Sequence, residues 1–439
     1  MRTLPLLLIL LLLATPLAAL AKEPLSLTEA VAVALAQNTE QTLSTNAVSR
    51  ANTNLATQRD AFLPSLALTL AAGEQSDLAG DSAESVSGRL AAALNLFRGY
   101  GDEAALAALK SELAAAEYDQ QRQQQSLIRD VTTAYVELLT AQGLSEVQRE
   151  QLKQNEAQLE QISAQVEAGR RPRSDQLQQQ AEVANARKSV IAAEQSERVA
   201  LLSLLKLMQL PPQSALTAVP PEKLPEVGLF ADLLPEDDAA VSQRPDLQAL
   251  AASSAAAVAR IREAKAGSYP TLDLSLGVGS DYSSRSAGSV GSQFDDNLGA
   301  DVGLSLSIPL FDRNQTRHAV ALATLARQDA ALQQEQQALQ AATEAEEARL
   351  AYATLRQQSR AADAALAAAQ EALDAMSERY RVGAATLVEL VQQRSTYASA
   401  RYDVIASRYS LLSTAMNLVY ALGNRQGIEG VLTRWERIN

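Results

Sequence analysis

Two carboxylates stand just past glycines that interrupt long helical patterns: Asp175, six residues after Gly169, and Glu389, six residues after Gly383. That spacing puts each acid in the first turn of a restarted helix, where the positive helix end favours negative charge. Ser174 is expected to cap the first restart. Thr386 is expected to cap the second, with Glu389 three residues on, at capping-box spacing. One role for these acids is therefore to start helices. The other requires several copies of the chain. If such tips converge on an axis, each chain adds two carboxylates to a ring, and acid rings attract cations and raise one another's pKa values.

Catalysis has little to work with. His318, the only histidine, stands at the start of a helix beside Arg317 and reads as a surface residue, which argues against a nucleophile–histidine pair or a multi-histidine metal site; cysteine is absent, which leaves no thiolate metal site or disulfide. Gly277-Val278-Gly279 begins like a dinucleotide fingerprint, but Tyr282 fills the third glycine position. The chain is read as no enzyme, with no cofactor, and with no metal site beyond the possible acid ring. A net charge of −13 argues against nucleic acid as a partner. Aromatic residues make up only 4% of the 439, few for one thick core, whereas Ala, Leu and Gln suit long helices packed closely.

The elements that must position the two acids come in repeated order. Residues 1–21 read as a signal peptide: Arg2, the apolar run Leu6 to Leu13, and the small-residue site Ala19-Leu20-Ala21, leaving Lys22 as the mature start. At an offset of 214 residues, Leu152, Leu159, Ile162, Val166 and Gly169 match Leu366, Leu373, Met376, Tyr380 and Gly383. Asp175 matches Glu389, and Gln178-Gln179 matches Gln392-Gln393; only Ala134-Tyr135 and Ala351-Tyr352 depart, at 217. A first repeat over 22–210 and a second over 244–423 follow, joined by a Pro-rich linker at 211–243 and trailed by a tail at 424–439.

Each repeat holds a helix (about Leu27 to Arg59, and Arg244 to Ala266), a β-hairpin (about 61–98 and 270–311), and a long helical hairpin. The hairpin tips fall near 169–174 and 383–386. Leu152, Leu159, Ile162 and Val166 form a heptad seam. The lone Trp435 sits near a C-terminus expected to be loose.

The strands alternate. Leu272, Leu274, Leu276 and Val278 oppose Thr271, Asp273, Ser275 and Gly277; Val302, Leu304, Leu306 and Ile308 oppose Asp301, Gly303, Ser305 and Ser307. Leu66, Leu68 and Leu70, then Leu90, Leu94 and Leu96, repeat the pattern in the first half. Such alternation suits either a membrane barrel or a soluble sandwich; the leader and the Gly/Ser/Asp-rich loops at Gly73 to Val86 and Asp281 to Asn297 favour the membrane. Four strands cannot close a barrel and open edges are not tolerated in lipid, so membrane strands would oblige several chains to share one barrel.

Several segments in order resemble the TolC-type outer-membrane efflux proteins over nearly the whole mature chain. They are Ser26-Leu27-Thr28-Glu29-Ala30, Arg244-Pro245-Asp246-Leu247, Tyr269-Pro270-Thr271-Leu272, Pro309-Leu310-Phe311-Asp312, and Arg379-Tyr380-Arg381-Val382-Gly383 followed by Leu387-Val388-Glu389-Leu390. The resemblance implies a mainly α fold with transmembrane β: a long coiled-coil barrel in the periplasm plus a β-barrel shared between three chains. It implies an outer-membrane duct of a tripartite efflux or secretion system. Its partners would be a periplasmic adaptor, an inner-membrane transporter and outer-membrane lipid.

By position, Asp175 and Glu389 match the acidic constriction, and Tyr380 matches a tyrosine that helps hold the gate shut. Gln392 stands where the best-known member has a second aspartate, and Ala385 where it has a latching arginine, so this chain departs from the family at the latch. Arg170, Arg171 and Arg173 crowd the first tip, placed to pair with Glu389, to dock an adaptor, or to form a solvated turn. The competing reading is a soluble periplasmic coiled-coil scaffold or adaptor, which would need other β-domains flanking a single helical hairpin.

Overall fold

A computed structural model describes residues 23–76, 82–231 and 238–438. The expected leader at 1–21, Lys22 and part of the 211–243 linker lie outside them. The chain resolves into two compact units, and each half of the sequence contributes to both.

The first unit takes the described residues of Met1–Thr42, Gln123–Arg244 and Ala341–Asn439. Strand β1 (Glu23–Leu25) pairs in parallel with β4 (Leu216–Ala218). Helix α1 (Leu27–Gln37) starts from a complete Ser26/Glu29 capping box and buries Leu27, Ala30, Val31 and Ala34, the i, i+3, i+4, i+7 face of an amphipathic helix. The single helix expected from Leu27 to Arg59 is two. Asn38 is extended (φ −64°, ψ 129°), ending α1, and its Oδ1 accepts from the backbone N–H of Glu40 at 2.8 Å to open α2 (Thr39–Asp60). Its Nδ2 donates to Leu207 O at 3.0 Å. A side chain that can cap two helix ends makes a break no propensity scale reveals.

The main core of this unit gathers α1, the middle of α3 (Gly101–Glu167), and the C-terminal parts of α4 (Arg173–Leu207) and α8 (Leu387–Ala421). At its centre the Tyr135 hydroxyl lies 3.0 Å from the carbonyl oxygens of both Leu25 and Val219 and accepts from Val219 N at 3.1 Å. Burial pushes its pKa well up.

The tail is not loose. Asn424 caps α9 (Arg425–Glu436), and Trp435 is fully buried against Tyr409. A short amphipathic helix this apolar on one face cannot stay in solvent beside an open core. Gly423 turns the chain between α8 and α9 at φ +69°; a Cβ there would meet Arg244 Cα at 3.0 Å. Arg244 itself, read from sequence as part of a helix start, is almost wholly buried. It donates to Glu344 Oε2 at 2.8 Å and to Ala421 O at 3.1 Å, closing the end of α8.

The second unit takes Leu43–Arg122 and Pro245–Gln340. It includes α5 (Pro245–Lys265), with proline in the first helical position, where a missing N–H costs nothing. Its sheet has the order β2–β3–β5–β6, antiparallel throughout, from β2 (Ser65–Ser76), β3 (Ser82–Arg98), β5 (Thr271–Ser283) and β6 (Gly299–Ser307).

Register aligns the faces. Leu68, Leu90 and Val278 share one row, Leu66, Leu276 and Val302 the next, and Leu94, Leu274 and Leu304 another. The opposite face is small and polar: Ser65, Ala67 and Thr69, then Arg89, Ala91 and Ala93, then Asp273, Ser275 and Gly277, then Asp301, Gly303 and Ser305. A bulge between Asn95 and Phe97 changes one expectation: Phe97, not Leu96, pairs with Leu272 and joins the apolar face, because an extra residue reverses the alternation beyond it. The second polar loop is also not wholly irregular. It contains α6 (Val290–Asp296), capped by Ser289 and anchored by buried Gln293, which accepts from Ser283 N and donates to Ser286 O.

Helix α7 (Gln315–Arg381) leaves Leu322, Leu325, Leu332 and Leu339 exposed at spacings of three, seven and seven. That is heptad spacing, and it sets these leucines in one exposed apolar stripe. Among the described residues no helix is long and apolar enough to cross a membrane.

Candidate functional site: the helical-hairpin tips

Both long hairpins turn on a left-handed glycine. Gly169 has φ +67° and Gly383 φ +80°. Around the first, Arg170 N–H donates to Gln165 O and Gly169 N–H to Val166 O; around the second, Ala384 N–H donates to Arg379 O and Gly383 N–H to Tyr380 O. This is the Schellman pattern, which satisfies the last carbonyls of α3 and α7 and requires a residue without a Cβ penalty.

The restarts differ. Thr386 and Glu389 complete a capping box: the Glu389 carboxylate accepts from Thr386 N at 2.7 Å and from its hydroxyl at 2.8 Å. Those two hydrogen bonds, with Arg379 adding positive charge, hold the Glu389 carboxyl below its ordinary value. At the first tip Ser174 is not the cap. Pro172 takes that position with extended backbone (ψ 148°) and no side-chain bond, and the helix begins at Arg173. Proline's locked φ and bulk bring the boundary forward by two residues. Asp175 occupies the same third helical position as Glu389, but its carboxylate pairs with Arg171 Nη1 at 3.3 Å.

Arg171 also lies over the Tyr380 ring, 4.6 Å from its centroid. Tyr380 closes a small apolar cluster with Ile162, Leu387 and Leu390. Burial raises its hydroxyl pKa, an effect opposed by the charge of Arg171 and reinforced by that of Asp175. The structure thus brings Arg171, Asp175 and Tyr380 together and leaves Glu389 on its own cap. Arg170, Arg173 and Gln392 are exposed.

Sequence reasoning missed the polar lining behind the tips. Gln179 is fully buried and donates to Asn155 O at 3.0 Å; Arg394 donates to Gln158 Oε1 at 3.3 Å. Burial lowers the Arg394 pKa, with Tyr380 acting against it. The expected seam of α3 is displaced as well. Asn155, Gln158 and Ile162 are its buried positions, while Leu152, Leu159 and Val166 are half-buried. The reason is that α3 meets α4 through Asn155 and α8 through Gln158, so the line between two neighbours is deepest. The signal was present in α8: Leu387, Leu390 and Arg394 follow heptad spacing, with an arginine in the seam. A polar seam residue fixes register at some cost in stability.

Comparison with known proteins places the chain. The sequence model of the outer membrane efflux protein family matches residues 23–208 and 238–424, and the chain belongs to that family, a family of TolC-like channels rather than enzymes. Pyoverdine export outer membrane protein OpmQ of Pseudomonas aeruginosa is 28% identical over 390 residues, 84% of this chain and 79% of its own. Protein CyaE of Bordetella pertussis is 28% identical over 419 residues, 93% of this chain and 86% of its own. The fold matches that of the Campylobacter jejuni CmeC outer membrane channel with a TM-score of 0.82 at 17% identity, over 94% of this chain and 90% of that one.

Proposed function

We propose that this protein is the outer-membrane duct of a tripartite efflux or secretion system. Three copies close one twelve-stranded barrel in the outer membrane, and their helices form a tunnel through the periplasm. A periplasmic adaptor meets the tips, and an inner-membrane transporter supplies the driving force. The observation that carries this reading is the four-stranded sheet. Leu66, Leu70, Val302 and Leu304 are about two-thirds or more exposed on a continuous apolar face, and among the described residues β2 and β6 are open edges. Open edges in lipid demand partner strands. The exposed apolar stripe of α7 at Leu322, Leu325 and Leu332 favours neighbouring copies as the source of those strands.

The same reading makes the two halves a duplication. Helices α3 and α7 are both 67 residues long, and α4 and α8 both 35, at one offset of 214. The left-handed pairs Gly99–Tyr100 and Arg313–Asn314 keep that offset. The tips serve as the gate, with Asp175 and Glu389 forming the cation-attracting ring, Tyr380 and Arg171 bracing it, and Gly169 and Gly383 supplying the turns. Residues 1–21 act as the leader that directs export.

The test is purification and crosslinking of the full chain. Extraction that needs detergent, with crosslinked trimers, is the expected result; a monomer soluble without detergent would overturn it.

A further inference from the structure

The polar face of the sheet carries Arg89 and Arg98 of β3, Asp273 and Asp281 of β5, and Asp301 of β6. Arg89 Nη2 reaches Asp301 at 2.6 and 2.8 Å, spanning the whole width of β5 to do so. The strand crossed is clear because residue 277 is glycine. A Cβ there would overlap Arg89 Nη2 and stand 2.6 Å from Asp301 Oδ1. Gly279 and Gly303 keep the neighbouring positions small. Both partners are about half exposed, 54% and 51%, and an ion pair so exposed contributes little to stability. Its position is the informative feature: one cation held at a fixed place among three acids, on the face opposite the apolar one.

We propose that the Arg89–Asp301 pair, carried over Gly277, sets the charge selectivity of the membrane section of the duct. This rests on the duct reading, under which the polar face lines the lumen. Fixed charges on a water-filled passage with low-dielectric walls focus the field along it. In each chain the face is left with one net negative charge by Asp273, Asp281 and Asp301 set against Arg89 and Arg98. Removing Arg89 unmasks a further carboxylate in every copy; removing the Asp301 charge leaves the face neutral. The species discriminated are small inorganic ions and charged groups on cargo.

The experiment uses the full-length protein in planar bilayers under a potassium chloride gradient at low ionic strength, where the Debye length is about 30 Å at 0.01 M. R89A is expected to move the reversal potential toward the potassium equilibrium potential, and D301N toward that of chloride. The exchanged variant R89D/D301R restores a pair of the same net charge and is expected to stay at the wild-type value. R89Q provides a second neutralisation should R89A not insert. Open channels that all share the wild-type reversal potential would overturn the proposal. Wild-type protein that opens no channel would instead overturn the duct reading, and the selectivity role with it.

Discussion

The guanidinium carbon of Arg171 stands 4.6 Å from the centroid of the Tyr380 ring, joining the first glycine turn to the last turn of α7. The same guanidinium holds Asp175, so one side chain braces the restart of α4 and the end of α7. A cation over an aromatic face is worth about 0.5–1 kcal/mol at an exposed site. R171A is therefore expected to loosen the tip and raise single-channel conductance in planar bilayers. Conductance equal to wild type would remove Arg171 from the gate.

Replacing Asp175 and Glu389 together with alanine is expected to weaken block by divalent cations applied from the tip side. Each copy would lose both carboxylates of the ring. Block of unchanged strength would leave helix starting as their whole role, the role whose geometry Glu389 displays with Thr386.

The Glu389 cap also predicts a pH dependence. Hydrogen bonds from the Thr386 backbone and hydroxyl hold its carboxyl below the ordinary 4.5. A depressed carboxyl stabilises the fold above its unfolded value, and that contribution disappears as pH falls through the lower, folded value. Amide hydrogen-exchange protection factors at Leu387 to Leu390, taken relative to intrinsic exchange at each pH, should fall on acidification below about pH 4.5, and E389Q should flatten the profile. Equal acid sensitivity in E389Q would assign the effect elsewhere.

Faces of the sheet can be told apart by charge. Arginine on the lipid side of a membrane barrel costs about 2–4 kcal/mol at mid-depth. L304R should therefore reduce trimer yield, whereas S305R on the adjacent polar face should assemble normally. Assembly unimpaired in L304R would reverse the facing assignment.

Trp435 is expected to matter far more than its place four residues before the last suggests. It is fully buried, and truncating a buried Trp to alanine costs about 3–5 kcal/mol. W435A should lower the thermal unfolding midpoint of the purified protein. A midpoint within error of wild type would mean that α9 is dispensable to the core.

The two long helical hairpins, their glycine turns and the alternation of the strands were all legible in the residues, because each is a local consequence of residue type. Left-handed backbone needs glycine, heptads make seams, and period two makes two-faced strands. The Thr386/Glu389 restart was equally plain, since capping chemistry acts over three residues, whereas at the first tip Pro172 takes the cap in place of Ser174. What escaped was everything settled by contact across the fold. Asn38 splits a helix because Leu207 O is there to receive it. Asn155 and Gln158 are buried where leucines were expected because α3 lies between two neighbours. Arg244 and Trp435 are core residues because distant helices close over them. Arg89 meets Asp301, 212 positions away, only because register brings β3, β5 and β6 side by side with a glycine between. Local pattern determines which elements form and which face of each is apolar. Only tertiary packing decides which polar side chains those faces enclose, since burial and pairing depend on neighbours remote in the chain.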